Sequence, residues 1–231
     1  MQIFGLQKTS LLDYPGKLAS VIFTGGCNMN CPFCHNSELI TLPKSGRISE
    51  EEVLSHLIKR RFTLEGVVIT GGECTLQKDL KEFCKKVKEL GYLIKIDTNG
   101  TNPGVIKALV SEKLIDYVAM DIKNSKEKYP ATCGWNAVDL QKIQETTNYL
   151  MENHIDYEFR TTVIPEFHTP EDMENIGDWI KGAKALYLQA FKKSDAVPDP
   201  SLTEPTKNDM LSYQSILLKY IDKVEIRGID V

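Results

Sequence analysis

Short apolar runs recur along the chain, and the stretches between them carry apolar residues at helical spacing. The runs at 18–24, 66–70, 92–97, 115–120, 157–164 and 185–189 are rich in Val, Ile and Leu and bounded by Gly, Asn or Asp. That is the pattern of buried strands. The intervening segments 49–61, 76–90, 103–111, 137–153 and 170–181 predict helices. The first starts cleanly, because Ser49 can cap it and the three glutamates at 50–52 sit at its positive end. Residues 2–7 predict a short strand ahead of a turn at Asp13-Tyr14-Pro15-Gly16. Beyond a polar, proline-rich loop, 207–220 predicts a last helix and 224–227 a terminal strand.

Strand–helix alternation of this kind means parallel βαβ units. About six units are too few to close an eight-unit barrel. The expected fold is therefore α/β: a partial (β/α)6 TIM-like barrel with a parallel sheet, in a single domain over 1–231. Its core spans about 18–190, followed by a C-terminal helix and strand extension. No internal repeat, linker or low-complexity segment interrupts it.

Composition narrows the function classes. A formal net charge of −4 over 231 residues gives no basic footprint for nucleic acid. No apolar run reaches membrane-spanning length. Met1-Gln2-Ile3-Phe4 lacks the basic and apolar regions of a secretory signal, so the expected compartment is the cytoplasm. Thiols stay reduced there, and clustered cysteines then point to metal or chemistry.

Three of the six cysteines do cluster, as Cys27-Asn-Met-Asn-Cys31-Pro-Phe-Cys34; Cys74, Cys84 and Cys133 are scattered singly. Several readings stand on these residues alone. A structural zinc site needs a fourth ligand, and the nearest candidate, His35, abuts Cys34 too closely to close the same tetrahedron easily. A disulfide with one spare thiol does not suit a reducing compartment. Three thiolates can instead hold three irons of a four-iron cluster and leave the fourth open, as catalytic zinc keeps an open position. An electron carrier would want the cluster fully ligated. The loop follows directly on the strand 18–24, where α/β folds place their sites.

Polar groups gather at the other strand ends too. Gly71-Gly72-Glu73-Cys74-Thr75 follows the second main strand, and glycines there let a ligand approach the backbone. The competing reading is a plain tight turn, with Cys74 a small buried residue. Asp97-Thr98-Asn99-Gly100 follows the third; it can bind a ribose or an amino acid head, and is also a turn. Asp121 and Lys123 flank the end of the fourth, as site residues or as a solvated ion pair. Arg160 on the fifth needs an anionic partner if buried. Gln189 and Phe191 on the sixth can line the pocket, with a core role the competing reading for Phe191.

The cysteine spacing, with Phe33 just before the last cysteine, resembles the radical S-adenosylmethionine (radical SAM) superfamily, and Gly71-Gly72-Glu73 is similar to that family's GGE motif. Cys74 stands where the family usually has proline. Asp97-Thr98-Asn99-Gly100 and Met120-Asp121-Ile122-Lys123 resemble the branch that activates glycyl radical enzymes. Residues 5–16 and Cys34-His35-Asn36 look like the activator of anaerobic ribonucleoside-triphosphate reductase, with the pyruvate formate-lyase activator the other near relative. The resemblance covers about residues 1–190.

It implies that Cys27, Cys31 and Cys34 hold a [4Fe–4S] cluster and that S-adenosylmethionine chelates the fourth iron. Reductive cleavage would give a 5′-deoxyadenosyl radical that takes hydrogen from a glycine Cα of the partner. Gly71, Gly72 and Glu73 would hold the amino end and the backbone near Phe33 the adenine. Asp97, Thr98, Asn99, Asp121, Lys123, Arg160 and Gln189 would serve the remaining polar groups. A monovalent cation near Asp97-Thr98 and Asp121 is implied as well, and flavodoxin or ferredoxin as electron donor. The rival within the superfamily is an enzyme acting on a small molecule.

Overall fold

The computed structural model describes residues 1–230. Eight strands form one sheet in sequence order: β1 (Ile3–Ser10), β2 (Ala19–Thr24), β3 (Gly66–Gly71), β4 (Leu93–Thr98), β5 (Tyr117–Asp121), β6 (Asp156–Val163), β7 (Leu186–Ala190) and β8 (Val224–Arg227). β1 runs antiparallel to β2, and every later pairing is parallel. β1 and β8 are the free edges, so the sheet is a partial barrel. The terminal strand lengthens it: β8 pairs with β7 from Leu186 opposite Val224 to Gln189 opposite Arg227. Six main strands were expected and seven run parallel.

The helices are α1 (Glu50–Arg60), α2 (Leu80–Glu89), α3 (Pro103–Ser111), α4 (Tyr129–Cys133), α5 (Leu140–Met151), α6 (Pro170–Trp179) and α7 (Lys207–Leu217). Two start later than their apolar spacing predicts, for local reasons. The expected helix from residue 76 is broken by Gln77, which is extended because its side chain donates to the Gly25 carbonyl and accepts from the Gln2 amide. A 3₁₀ turn covers Cys74–Leu76 and α2 begins at Leu80. The helix expected from 137 begins at Leu140, because the Asp139 carboxylate caps the amides of Gln141 and Lys142. The short α4 was not expected, although Pro130 just inside its start and the left-handed Gly134 just past its end are the usual brackets of a helix.

The two faces of the sheet differ. Ile22, Ile69, Ile96, Val118, Phe159 and Leu188 point outward, fully buried in one large core. Burying each such side chain contributes about 1.5–3 kcal/mol. The inward face is apolar only near the strand starts, where Tyr14, Ala19, Val21 and Val68 form a separate small core. Toward the strand ends it turns polar. Alternation along each strand and the register, Val68 beside Lys95 and Asp121 beside Arg160, put Lys95, Asp97, Asp121, Arg160 and Thr162 on the concave side. No helix among the described residues is long and apolar enough to cross a membrane.

Candidate active site

β2 ends at Thr24, and the chain turns through Gly25-Gly26 into the cysteine loop. Backbone bonds pin this loop from several sides. The amides of Gly26 and Cys27 donate to the carbonyls of Leu39 and Ile40, at 2.7 and 3.0 Å. The Asn30 amide donates to the Cys133 carbonyl at the end of α4, and the Asp199 amide donates to the Pro32 carbonyl, both at 3.0 Å. So fixed, Cys27, Cys31 and Cys34 line one cavity of about 850 Å³, counting its space open to solvent, together with the ends of β3 to β6.

The donor set fits a cluster with one open iron. Among the described residues no three His, Cys, Asp or Glu side chains gather around a single ion position. His35 is not placed as a fourth ligand: Nε2–H donates to the Lys192 carbonyl at 2.7 Å and the ring packs on Phe191. Burial pushes the Cys27 thiol up to about 11 and Cys31 up to about 12, and raises Cys34 as well. The Lys123 ammonium pulls all three the other way. Empty, these thiols hold their protons; iron displaces the protons when it binds, since thiolate is the ligand form. The remaining cysteines are buried elsewhere. Cys74 is in the expected buried role and donates to the Asp97 carbonyl at 3.3 Å.

The glycines at the end of β3 are required by contact. A Cβ on Gly72 would lie 2.2 Å from the Gly26 carbonyl oxygen, and Gly71, at φ +114°, would put one 2.3 Å from the Thr24 amide nitrogen. Both neighbours are backbone of the strand and turn that carry the cysteine loop. Gly72→Ala must therefore push β3 and that loop apart, costing about 1–3 kcal/mol. The expected result is a lowered melting temperature and reduced iron incorporation, measured by thermal unfolding and iron analysis. The Glu73 side chain does not face a ligand. It is 1% exposed and accepts from Thr98 Oγ1 at 2.8 Å and the Asn99 amide at 2.7 Å, tying β3 to β4. Only its backbone is available to a bound molecule.

Below the cysteines runs an alternating chain of charges. Lys95 donates to Asp97 Oδ1. Arg160 Nη1 donates to Asp97 Oδ2 at 3.0 Å, and its Nε to Asp121 Oδ1 at 2.9 Å. Lys123 Nζ donates to Asp121 Oδ2 at 2.8 Å. Reaching Asp97 from β6 means crossing β5, so the guanidinium staples the concave side. Burial pushes the Asp121 carboxyl up, but Arg160 and Lys123 outweigh it and hold the group at about 2. The Asp97 carboxyl is likewise held down by Arg160 and Lys95 against its burial. A depressed carboxyl contributes stability above its unfolded value of about 3.9, which is lost as pH falls through the folded value. The apoprotein should therefore lose stability between pH about 4 and about 2. Asp121→Asn should flatten that limb in acid-unfolding curves.

The cavity gathers Phe33, Gly71, Gly72, Glu73, Asp97, Thr98, Asn99, Asp121, Lys123 and Arg160 with the three cysteines. Gln189 is not among its lining residues. It shares the concave face, beside Thr162 and Arg227, farther toward the β8 edge. Phe191 is fully buried, in the core role. Thr70 and Thr162 line the cavity without having been expected. Strand alternation could have found them, since they share the face of Val68 and Arg160. His168 was also missed. Its Nε2–H donates to the Lys123 carbonyl at 2.9 Å, while Nδ1 lies against the Ile164 backbone, 3.1 Å from the amide and 3.2 Å from the carbonyl. It fixes the backbone that presents Lys123. No local pattern marks that role, because it depends on two segments meeting.

A sequence model of the radical SAM superfamily matches residues 21–180. A Methanocaldococcus jannaschii protein, provisionally named a glycyl-radical enzyme activating enzyme, is 38% identical over 234 residues, 99% of this chain and 96% of its own. The pyruvate formate-lyase-activating enzyme of Clostridium pasteurianum is 31% identical over 128 residues, 53% of this chain and 52% of its own. In fold, the chain is similar to a solved domain of a pyruvate-formate lyase-activating enzyme from Bacteroides vulgatus. The TM-score is 0.58 at 17% identity, covering 71% of this chain and 99% of that one.

Proposed function

The chain belongs to the radical SAM superfamily, in its glycyl-radical-enzyme-activating branch, and from that footing we propose that it activates an anaerobic ribonucleoside-triphosphate reductase. The observation that carries the activase reading is the set of three clustered thiols that line one cavity with the polar ends of β3 to β6. The choice of partner rests on residues 5–16 and Cys34-His35-Asn36, which resemble the reductase activator.

In this reading residues 1–231 act as one catalytic unit in the cytoplasm. Cys27, Cys31 and Cys34 hold a [4Fe–4S] cluster, reduced by flavodoxin or ferredoxin. The cluster and S-adenosylmethionine, when bound, supply the hydrogen-abstracting chemistry. The chain's own residues bind and orient. Gly71, Gly72 and the Glu73 backbone leave room for the amino end of the methionine. Lys123 and Arg160 offer positive charge to its carboxylate, while Asp97 and Asp121 keep both cations in place. The Thr98 hydroxyl and the Asn99 amide are spent on Glu73, the Asn99 side chain on Asn28 and Thr101, and together they hold the shape of the β4 end. The backbone near Phe33 takes the adenine. The unclosed edge between β1 and β8 leaves room for a protein loop, and Gln189 on the concave face near it is placed to meet that loop rather than the cofactor.

The test is electron paramagnetic resonance on reconstituted protein, reduced in the presence of S-adenosylmethionine and mixed with candidate partners. A glycyl radical on the anaerobic reductase, and none on pyruvate formate-lyase, is the expected result. A signal on pyruvate formate-lyase alone overturns the choice of partner. Turnover of a small molecule with no protein radical favours the other branch of the superfamily.

A further inference from the structure

Lys95 is the one member of the charge chain that the expected site does not use. It is among the largest fully buried side chains, 1% exposed, on the concave face of β4 two residues before Asp97. A buried ammonium is costly unless paired, and replacing such a pair by apolar side chains is often neutral or stabilising. Stability alone therefore does not explain why a lysine stands here.

The resemblance implies a monovalent cation beside Asp97-Thr98 and Asp121. The donor set does not fit one. Asp97 Oδ1 is taken by Lys95 and Oδ2 by Arg160; Asp121 Oδ1 is taken by Arg160 and Oδ2 by Lys123. An inorganic ion would have to displace a protein cation from each carboxylate, and would add charge to a site that already has a surplus. Three cations (Lys95, Arg160, Lys123) stand against two carboxylates (Asp97, Asp121), so the chain carries one net positive charge. Glu73 stands outside this chain: its carboxylate accepts from Thr75, Thr98 and the Asn99 amide and is bonded to none of the three cations. Without Lys95 the count would be two against two, and an added cation would be needed to reach the same surplus.

We propose that the Lys95 ammonium is the built-in monovalent cation of this site, so that S-adenosylmethionine is held without sodium or potassium. Lys95 is a positioning residue: it neutralises Asp97 and leaves Arg160 free to present its remaining donor, Nη2, to the anionic end of the cofactor. The inference rests on the reading that S-adenosylmethionine occupies this cavity.

The experiment is calorimetric binding of S-adenosylmethionine to the anaerobically reconstituted, unreduced protein. It compares tetramethylammonium, sodium and potassium chloride at equal ionic strength; tetramethylammonium is too large to enter between the carboxylates. The expected wild-type dissociation constant is the same in all three salts within about twofold. Lys95→Met should bind about tenfold more weakly in tetramethylammonium and recover in potassium, sodium or methylammonium. Wild-type binding that weakens tenfold or more without alkali ions overturns the proposal, as does a folded Lys95→Met that binds equally in every salt. The wild-type comparison decides even if the variant fails to fold. No binding by the wild type in any salt would fault the cavity assignment instead.

Discussion

Cys31→Ala should abolish S-adenosylmethionine cleavage, leaving 5′-deoxyadenosine at the level of buffer, while the apoprotein still folds. Cys31 is the most buried of the three clustered thiols, at 7% exposure. Its loop is held by backbone bonds to Leu39, Ile40 and Cys133, none of which needs the thiol. The substitution therefore removes a proposed cluster ligand with little effect on the scaffold. Two thiols cannot hold a four-iron cluster in the required form, and no neighbour can substitute: His35 is bonded to Lys192, Cys74 to the Asp97 carbonyl, and Cys133 to backbone around α4. Iron content and circular dichroism read the two halves of this prediction separately. Retained cleavage in a clean preparation contradicts the assignment of the loop.

Arg160→Met should be the most damaging change outside the cysteines. The guanidinium touches both carboxylates, and its loss leaves Asp97 and Asp121 each with a single lysine in a buried site. Breaking buried pairs in this way costs about 3–5 kcal/mol. Arg160→Lys should recover only part, because an ammonium is a point charge and cannot span two carboxylates at fixed angles as the planar fork does. Chemical denaturation of the apoprotein measures the stability loss. Binding of S-adenosylmethionine to the reconstituted variants measures the loss at the site, which should exceed about tenfold for Arg160→Met. Wild-type stability in Arg160→Met would mean that the charge chain does not hold β4, β5 and β6 together.

Most of the site was legible because its groups lie at strand ends, and strand ends are where short β-branched runs meet Gly, Asp or Asn. Gly71-Gly72, Asp97-Thr98 and Asp121 could each be placed beside the cysteine loop from order along the chain alone. Legibility failed where a residue's role depends on curvature. The same β4 run that supplied Asp97 also contains Lys95, on the same face, but nothing local tells that its ammonium stays inside the barrel. Arg160 was expected to seek an anion; that it seeks two, Asp97 on β4 and Asp121 on β5, follows only once the sheet bends. Gln189 was assigned to the cavity by its strand-end position; it sits one strand beyond the cavity-lining Thr162, between that residue and Arg227, and is not among the lining residues. Glu73 was expected to serve a ligand through backbone groups; that its side chain turns into the β3–β4 junction, where Thr98 and the Asn99 amide meet it, has no local signal.

Helix boundaries shifted where a side chain captured backbone groups ahead of the apolar repeat, as Gln77 and Asp139 do. The terminal strand was recognised, but its parallel pairing with β7 was not, since an extension after a long loop could as well have crossed to either edge.

The measurement that bears most directly on the central claim follows the hydrogen. The reconstituted, reduced protein would be mixed with anaerobic ribonucleoside-triphosphate reductase grown on glycine deuterated at Cα, and the 5′-deoxyadenosine formed would be weighed by mass spectrometry. Deuterium in the 5′-deoxyadenosine, appearing together with the glycyl radical signal, is the expected result. 5′-Deoxyadenosine that forms without deuterium would contradict a glycine of that enzyme as the hydrogen donor.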